Sequence, residues 1–528
     1  LASDVGGGFG AKTGIYPEDV VLAHAARVVG KPVKWTAERS EEFLASTHGR
    51  DIDTWAQMAL NEEGRVLGLR VHTVANVGAY ALGAGVAIQV MIGPWVQTSI
   101  YDIQTIDFQY TAVMTNTTPT GPYRGAGRPE AIYIIERLME VAARKIGMDG
   151  AQLRLLNMVQ PDQFPYKNPM GQVYDSGNFP SMTRQACDMA DWSGFEARHR
   201  ESLQSGKWRG RGIASFLEWT GGNALEETVT VTVAADGYIE IISATMPMGQ
   251  GIATTYVQLA VDAFGVPMDK IRIIQGDTDL AEGFGSAGSR SLFTGGSAIE
   301  AAANQVIDKA KSIAADALEV GSHDLVYGEG QFQVVGTDRS IGLFDVAARS
   351  DMGRIQLQSS TKVAGPSWPN ACHICEVEVD PDTLEVSLIS YTSMNDVGRV
   401  VNPMIVRGQL DGGAVQGIGQ ALTEAMVYDE TGQPLSASFL DYAMPRADLI
   451  GRFNTQMDQS VPCKNNPLGV KGVGELGTIG ATPALVNAVA DALARAGHDA
   501  SADALQMPLS ASRLWHLLHR HQGAPSER

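Results

Sequence analysis

Glu475 is the residue of this chain best placed to do chemistry. It is the one carboxylate of the segment 469–478, which is otherwise rich in glycine and poor in charge. A carboxylate in such a loop is expected to lose hydration and gain proton affinity, so it suits a general base. The alternative is that Glu475 only caps a helix predicted over Pro483–Ala496, and the motif taken alone favours that alternative. Other glycine-rich loops in the chain shift the balance towards catalysis.

Four further glycine-rich loops occur along the chain, and several lead into predicted helices. Backbone N–H groups at a helix N-terminus hold phosphate without a basic side chain, so an acidic protein can still bind an anionic cofactor. None of the loops matches the dinucleotide fingerprint G-x-G-x-x-G or the P-loop. Together with Glu475 they predict a large anionic cofactor held between domains, with the reacting centre beside a carboxylate. The four loops are Gly6–Gly10, Gly249–Gly251, Gly285–Ser291 and Gly408–Gly413.

The composition limits the classes of partner. The chain has 528 residues and a net charge of −19, without a Lys/Arg-rich run, which argues against DNA or RNA as a partner. The low-charge stretch Leu82–Val96 is broken by glycine and proline and is shorter than the ~20 apolar residues of a spanning helix, so no membrane span is predicted. Four cysteines are too few for a disulfide scaffold and favour a reducing compartment, which predicts a cytoplasmic protein. The pair Cys372 and Cys375 leads into an alternating strand and lacks a second pair, so no side-chain metal site is predicted.

The elements that must position these residues follow one pattern three times. An alternating β-hairpin is followed by a glycine-rich loop and then by an amphipathic helix. Such a pattern is typical of mixed structure, so the predicted fold class is α+β rather than an all-parallel arrangement. The hairpin turns are predicted at Asn61–Gly64, Asp236–Gly237 and Asp380–Asp382, and the helices at Pro129–Gly147, Ile252–Phe264 and from Asn402 onward.

A domain boundary is predicted in the segment Pro161–Asn178, which is rich in Pro, Gly, Asn and Asp. It divides the chain into a first domain, residues 1–180, and a second domain, residues 181–528, whose last residues, 523–528, form a polar tail. The sequence opens on Leu1 and enters a glycine motif within a few residues. The chain is therefore expected to be a fragment or a processed piece of a longer protein.

Six motifs occur in an order that resembles one known family. The sequence is similar over nearly its whole length to the molybdopterin-binding large subunit of the xanthine oxidase and aldehyde oxidase family of molybdenum hydroxylases. The motifs are Gly6–Lys12 (GGGFGAK), Pro122–Ala131 (PYRGAGRPEA), Met248–Gly251 (MGQG), Gly288–Ser291 (GSRS), Val397–Gln409 (VGR, then NP and GQ) and Gly472–Glu475 (GVGE).

This resemblance implies a molybdenum atom held by a pterin, in bacterial members usually the cytosine dinucleotide form, with no protein side chain bound to the metal. It also implies two large, elongated cofactor-binding domains with the cofactor between them. Phe9 and Gly10 would lie beside the molybdenum, and Gln250 and Gln409 would bond to the pterin. Arg154 would reach a cofactor phosphate, or would instead lie on a solvated helix face. The whole implied cofactor-binding set is Gly8, Phe9, Gly10, Arg154, Gly249, Gln250, Gly251, Gly288, Ser289, Ser291, Gln409 and Gly474.

The resemblance also assigns roles near the substrate. Glu475 would be the base that deprotonates the hydroxyl on molybdenum before it attacks an electron-poor carbon. Arg124 would orient a carbonyl or ring heteroatom, or would be a structural arginine paired with a carboxylate. Carbon monoxide dehydrogenases carry a copper-binding Cys in the loop that here reads Tyr123–Arg128 without one, so copper chemistry is not expected. Thr13 stands where xanthine-oxidising members carry a purine-binding Glu.

The predicted function is therefore a hydroxylase subunit that oxidises an aldehyde or N-heteroaromatic carbon with water as oxygen source. Partner subunits with a [2Fe–2S] centre and with FAD are expected, because the chain has no motif for either group. The N-terminal portion of the family's large subunit has no counterpart here and is expected to be truncated or to form a separate polypeptide. Two alternatives remain open from the sequence: a non-catalytic protein that stores or inserts the molybdenum cofactor, and an NAD-dependent dehydrogenase.

Overall fold

The computed structural model describes residues 1–3, 5–222, 224–498, 500–501 and 504–519, so the predicted polar tail lies outside the described residues. The α-helices are α1 (Pro17–Val29), α2 (Arg39–Ala45), α3 (Gly83–Ala87), α4 (Gly93–Trp95), α5 (Arg128–Ile146), α6 (Gly150–Asn157), α7 (Phe179–Met189), α8 (Phe195–Gln204), α9 (Ile252–Phe264), α10 (Ser297–Leu318), α11 (Leu343–Ala348), α12 (Pro403–Leu422), α13 (Leu476–Arg495) and α14 (Ala511–His519). The strands are β1 (Ile52–Leu60), β2 (Val66–Gly78), β3 (Ile106–Met114), β4 (Tyr166–Lys167), β5 (Val173–Tyr174), β6 (Trp208–Leu217), β7 (Glu226–Ala234), β8 (Ile239–Ser243), β9 (Ile271–Ile274), β10 (Leu325–Gly328), β11 (Gln331–Val334), β12 (Ser340–Gly342), β13 (Arg354–Lys362), β14 (Asn370–Val379), β15 (Val386–Asp396) and β16 (Arg452–Asp458).

The strands form several small sheets rather than one large one, which confirms the predicted mixed α+β class. Their orders are β1-β2-β3, β4-β5, β10-β11-β12, β13-β7-β8-β9 and β16-β15-β14-β6. All three predicted hairpins are present, as β1–β2, β7–β8 and β14–β15. Each hairpin also gains a third strand that the sequence did not predict. These strands, β3, β9 and β16, pair in parallel with the second strand of the hairpin.

The predicted helices after the hairpins are also confirmed. Helix α9 has the predicted bounds, and α5 begins at Arg128 and ends before Gly147, whose φ of +68° suits its C-cap. Asn402 caps α12 by accepting a hydrogen bond from the backbone N–H of Ile405.

The last long helix, α13, begins earlier than predicted. The sequence suggested Pro483 as its start because proline favours the first turn. In the structure the helix begins at Leu476, directly after Glu475, and continues through Pro483. Its residues from Leu476 to Ala490 are all buried, and packing of this kind supplies most of the stability of a protein helix. Glu475 is therefore the N-cap residue of a core helix.

Helix α13 lies directly on strand β6 and on helix α12. A Cβ at Gly212 of β6 would lie 2.0 Å from the carbonyl oxygen of Ala484, so only glycine permits this approach. On the other side, the hydroxyls of Thr478 and Thr482 each donate to a carbonyl of α12, that of Gly413 and that of Gly417, both at 3.0 Å. The backbones of α12 and α13 thus approach closely along the glycines of α12, and this contact fixes Glu475 relative to α12.

By length and hydropathy, α13 is also the one described helix that would permit a membrane crossing. However, 94% of its most apolar window is buried inside the fold. Its partners are the strands and helices of the core, so it is a core helix.

The largest hydrophobic cluster crosses the predicted domain boundary. It joins Ile132 and Ile135 of the first predicted domain to Phe216, Trp368 and Leu476 of the second. A separate cluster lies between the β7–β8 sheet and helices α9 and α10. The boundary at residue 180 stays a prediction.

Candidate active site

Five of the glycine-containing loops meet around Glu475. The backbone N–H of Arg124 donates to the carbonyl of Phe9 at 2.8 Å, which joins the first loop to the Pro122–Gly127 loop. Gly8 faces the next loop, because a Cβ there would lie 3.1 Å from Met248 Sδ. Gly474 likewise faces the Gly285–Ser291 loop. The structure thus brings together segments that are distant in the sequence.

Two backbone positions explain why this convergence needs glycine. Gly10 has a φ of +110°, and a Cβ there would lie 2.2 Å from the carbonyl oxygen of Pro122. A Cβ at Gly472 would lie 2.5 Å from the carbonyl oxygen of Ser289. Any side chain at either position would separate the loops.

The Glu475 carboxylate accepts three hydrogen bonds from protein donors. The backbone N–H of Gly125 donates to Oε1 at 2.9 Å, and the hydroxyl of Ser289 donates to Oε2 at 2.9 Å. Arg128 Nη2 lies 2.9 Å from Oε1 and forms an ion pair. The Glu475 side chain is 15% exposed, so the carboxylate is held by its partners but stays accessible.

These partners reverse one expectation from the sequence. We expected burial in a charge-poor loop to raise the proton affinity of Glu475. Burial does act in that direction, but the charge of Arg128 and the hydrogen bonds from Gly125 and Ser289 outweigh it and lower the pKa of Glu475 below its usual value. The prediction was wrong because Arg128 arrives from α5, far away in the sequence. At neutral pH the residue is an ionised carboxylate, the form that accepts a proton.

Arg124 belongs to the site but uses its guanidinium within the protein. Its Nε donates to the carbonyl of Gly474 at 2.6 Å, and its Nη2 donates to the carbonyl and to Oε1 of Gln409 at 2.9 and 3.1 Å. Its Nη1 donates to Gln416 Oε1 at 3.1 Å, and its guanidinium carbon lies 5.4 Å from the centre of the Phe9 ring. Arg124 is buried, and no carboxylate of the described residues pairs with it. These contacts tie the first loop, α12 and Gly474 together. They do not include the expected carboxylate, and the role of Arg124 in orienting a substrate stays a prediction.

The two predicted pterin-binding glutamines differ in availability. Gln250 uses both ends of its amide inside its own loop, because Oε1 accepts from the N–H of Met248 and Nε2 donates to the carbonyl of Met246. Gln409 accepts from Arg124, while its Nε2 has no acceptor among the described residues. Gln409 therefore retains a donor for a bound group.

Arg154 does not lie at the site, and the prediction that it contacts the cofactor is wrong. Its side chain is fully buried and its Nε lies 2.7 Å from Glu136 Oε2. Nη1 donates to the carbonyl of Gly150, and Nη2 donates to that of Glu136. The alternative of a solvated helix face is wrong too, because Arg154 of α6 and Glu136 of α5 form a fully buried ion pair that the sequence does not show.

Two serines of the Gly285–Ser291 loop were predicted to bind the cofactor, and only one of them, Ser289, points at Glu475. Ser289 has a φ of +57°, an uncommon value for a residue with a side chain, and its hydroxyl points at Glu475. The hydroxyl of Ser291 instead donates to Ser286 within the loop at 2.9 Å. Gly288 lies at the start of this turn with a φ of +59°.

Gly249 and Gly251 precede helix α9, and both have positive φ, at +86° and +74°. Gly251 is the N-cap of α9, and no side chain caps the first turn. Uncapped N–H groups at a helix N-terminus are of the kind that hold an anionic group.

Sequence reasoning missed two residues of the site, Arg128 and Glu218. Arg128 is buried, and it contacts Glu475, Glu218 and the carbonyls of Gly125 and Trp219. Glu218 follows strand β6 and is fully buried. The signal for Glu218 was present as a lone acidic residue at the end of the apolar run 212–217, just before Gly221 and Gly222.

Comparisons with known proteins decide the family. Two family models described as molybdopterin cofactor-binding domain match residues 1–158 and 185–451. The nicotine 6-hydroxylase large subunit of Paenarthrobacter nicotinovorans is 34% identical over 94% of this chain and 64% of its own length. The carbon monoxide dehydrogenase large chain of Afipia carboxidovorans is 33% identical over 98% of this chain and 66% of its own length. The chain belongs to the xanthine oxidase family of molybdenum hydroxylases.

Within this family the chain is a molybdopterin-binding large subunit, as its motifs predicted. The crystal structure of quinoline 2-oxidoreductase from Pseudomonas putida 86 has the same fold. The two sequences are 30% identical, and the structures superpose with a TM-score of 0.92. The match covers 99% of the present chain and 68% of the quinoline 2-oxidoreductase chain. The chain spans about two thirds of the length of these molybdenum hydroxylase relatives.

Proposed function

We propose that this chain is the cofactor-binding subunit of a hydroxylase that oxidises an N-heteroaromatic or aldehyde carbon with water as the oxygen source. The observation that carries the proposal is the ionised Glu475 carboxylate, held by three donors at the point where the glycine loops meet. A base must be unprotonated and accessible to the reacting proton, and this carboxylate is ionised and partly exposed.

The residues present fit a molybdopterin group. Gln409 has an unused amide donor beside Gly474, and α9 has an uncapped N-terminus behind Gly251. The pterin would be surrounded by Gly8, Phe9, Gly10 and Ser289. The parts of the cofactor further from the metal would be held by the backbone of Gly249, Gln250 and Gly288. Ser291 would act by supporting its loop. The cytosine dinucleotide form of the cofactor is part of this proposal.

When bound, the cofactor supplies the two-electron acceptor and the site at which water is activated. Glu475 accepts a proton on Oε2 or Oε1 during that activation and later releases it. Arg124 positions this base indirectly, because it holds the carbonyl of Gly474, the residue next to Glu475. The Phe9 side chain is 48% exposed and would form one wall against the substrate.

The substrate class rests on the names of the relatives and on one substitution. Relatives in the comparison are named for nicotine and quinoline, both of which contain nitrogen heterocycles. Thr13 donates its hydroxyl to the carbonyl of Gly10 at 2.8 Å and carries no charge to bind a purine. Xanthine is therefore proposed to be a poor substrate, and the absence of Cys from Tyr123–Arg128 argues against copper chemistry.

Electrons must leave the cofactor through other polypeptides. The proposal therefore includes a [2Fe–2S] subunit and an FAD subunit as partners, and a cytoplasmic location for the complex. Visible spectra of the chain purified away from all partners should lack iron–sulfur and flavin bands. Bands that persist after such separation would contradict the proposed division of labour.

The two alternatives are not favoured, because the named relatives are large subunits of oxidoreductases. One experiment separates all three functions. Metal and nucleotide analysis of the purified complex should give molybdenum with a cytosine nucleotide, and a dye-linked screen of aldehydes and azaarenes should give turnover. Bound NAD would support the dehydrogenase, and molybdenum without turnover of any of these compounds would support the storage protein.

A further inference from the structure

Glu218 is a second carboxyl group next to the proposed base, and both contact the hydroxyl of Ser289. The side chain of Glu218 is fully buried, whereas that of Glu475 is 15% exposed, so Glu475 is accessible and Glu218 is not. Glu218 Oε1 lies 3.1 Å from the hydroxyl oxygen of Ser289 and 3.4 Å from Arg128 Nη1. Its Oε2 is buried with no hydrogen-bond partner among the described residues.

The hydroxyl of Ser289 is the decisive group, because it touches both carboxyls. It lies 3.1 Å from Glu218 Oε1 and 2.9 Å from Glu475 Oε2. A serine hydroxyl has one hydrogen to donate and lone pairs to accept with. Both contacts are hydrogen bonds at the same time only if one of the two carboxyls carries a proton.

The surroundings place that proton on Glu218. Apart from the shared Ser289 hydroxyl, Glu475 receives donors from the Gly125 backbone and Arg128 at 2.9 Å, which is the environment of an anion. Apart from the same hydroxyl, Glu218 has only the longer contact to Arg128, and its Oε2 has no donor among the described residues. A buried carboxylate with so few donors is strongly disfavoured relative to the neutral acid.

We propose that Glu218 is held as a neutral carboxylic acid that positions the base through Ser289. Glu218 donates its proton to the Ser289 hydroxyl oxygen, and Ser289 donates its own hydrogen to Glu475 Oε2. The hydrogen bonds then run in one direction, and Glu475 is the only anion of the pair. Glu218 is a positioning residue, and this inference rests on the proposed role of Glu475 as the base.

The electrostatics agree with this arrangement. Burial raises the pKa of Glu218 to about 8, although Arg128 opposes the rise, and the negative charge of Glu475 adds to it. The charged groups that face Glu218 are Arg128, Glu475 and Arg124. Above that pH the two carboxylates compete for one hydroxyl hydrogen and for Arg128, so the hold on Glu475 loosens.

Infrared spectroscopy of the complete enzyme tests the inference without reference to activity. The wild type should show the carbonyl stretch of a protonated carboxylic acid, which disappears as the pH rises through about 8. Glu218→Gln should lack this band. Ser289→Ala should keep the band but shift its frequency, because the acceptor of the acid proton is gone. Glu376→Gln replaces another buried glutamate, held by Arg198 and Arg209 away from the site, and should leave the band unchanged.

The pH profile of the rate gives a second readout. The wild-type rate should fall on the alkaline side as Glu218 ionises. Glu218→Gln keeps an N–H donor towards Ser289 but cannot ionise, so its profile should lose this alkaline limb. A merely structural Glu218 would change the height of the profile and not its shape.

Several outcomes would overturn the inference. The first is that the infrared difference spectrum between wild type and Glu218→Gln contains no band of a protonated carboxylic acid. The second is that the pH–rate profile of Glu218→Gln keeps the alkaline limb. If Glu218→Gln does not fold, Ser289→Ala takes its place. An acid band with the same frequency in wild type and in Ser289→Ala would also overturn the inference. The proposed function fails separately, when Glu475→Gln retains turnover, and that result leaves the infrared assignment of Glu218 intact.

Discussion

Arg128 and Glu475 form a largely buried ion pair, with Arg128 Nη2 2.9 Å from Glu475 Oε1. Arg128 comes from the first turn of α5, and Glu475 occupies the N-cap position of α13. The pair therefore links the N-terminal ends of these two helices. It also sets the protonation state of the proposed base, since its charge opposes the effect of burial on the pKa of Glu475.

Glu475→Gln should abolish most of the activity and leave the cofactor in place. The amide keeps the size of the side chain but cannot accept a proton, so turnover should fall by about 10²–10⁴-fold, as is typical of a lost acid–base group. Molybdenum content should stay near that of the wild type, because the proposed cofactor contacts come from other residues. Activity that falls only in proportion to lost molybdenum would show that Glu475 is structural.

Removal of the Arg128 charge should move the acidic limb of the pH–rate profile. A carboxylate with a lowered pKa is ionised at neutral pH and becomes inactive as a base only when the pH falls through that lowered value. Arg128→Met raises the pKa of Glu475, so the limb should shift to higher pH. Arg128→Lys keeps a positive charge and should restore part of the shift. Coincident limbs in wild type and Arg128→Met would contradict the assignment of this limb to Glu475.

The stability of the protein should respond to pH through Glu218. Its folded-state pKa of about 8 lies above the value of an unfolded glutamate, so the folded state binds the extra proton. The stability from this group is fully present below the unfolded value and falls as the pH rises towards 8. The melting temperature of the wild type should therefore decline relative to that of Glu218→Gln over this range. A constant difference between the two proteins would argue against a proton on Glu218.

Arg154→Met should destabilise the fold without affecting cofactor binding directly. The substitution leaves Glu136 as a buried carboxylate without its arginine, and breaking such a pair typically costs about 3–5 kcal/mol. Molybdenum per folded molecule should remain unchanged. Arg184→Met on the exposed face of α7 is the matched control and should change stability little. A selective loss of molybdenum in Arg154→Met would restore its predicted role at a cofactor phosphate.

A pair of glycine substitutions on α12 tests how tightly α13 is held. A Cβ at Gly417 would lie 2.7 Å from Ala481 Cβ, so Gly417→Ala should lower stability by about 1–3 kcal/mol through overpacking. Gly408 has open space at the same position, so Gly408→Ala should raise stability by up to about 1 kcal/mol through helix propensity. Chemical denaturation of both variants measures the difference. Equal effects would mean that the two helices tolerate separation.

The sequence predicted what depends on local patterns. The hairpins, the bounds of α9 and the cap at Asn402 follow from alternation, turn residues and capping chemistry, all of which act over a few residues. The other glycine-rich loops were expected to act together and do converge, whereas Gly408–Gly413, predicted as a loop, lies inside helix α12. The start of α13 was wrong because burial of the helix against β6 and α12 outweighed the local preference of Pro483.

The charges around Glu475 could not be predicted in the same way. Arg128 and Glu218 are 90 positions apart, and Glu475 is much further along the chain. Nothing in the local sequence of any of them indicates the other two. The expectation of a raised pKa for Glu475 failed for this reason, since it included burial and omitted the partner. The prediction for Arg154 was wrong for a similar reason, because its partner Glu136 lies on another helix.

The three donors on Glu475 also set how long it keeps a proton. A carboxylate with a lowered pKa has a lower affinity for the proton, but its protonated form releases the proton faster. Since the Gly125 backbone, the Ser289 hydroxyl and Arg128 already point at the carboxylate, they need no rearrangement as its charge appears and disappears. Glu475 is thus suited to a catalytic cycle that resets rapidly: the carboxylate is regenerated for the next substrate as soon as water can carry the proton away.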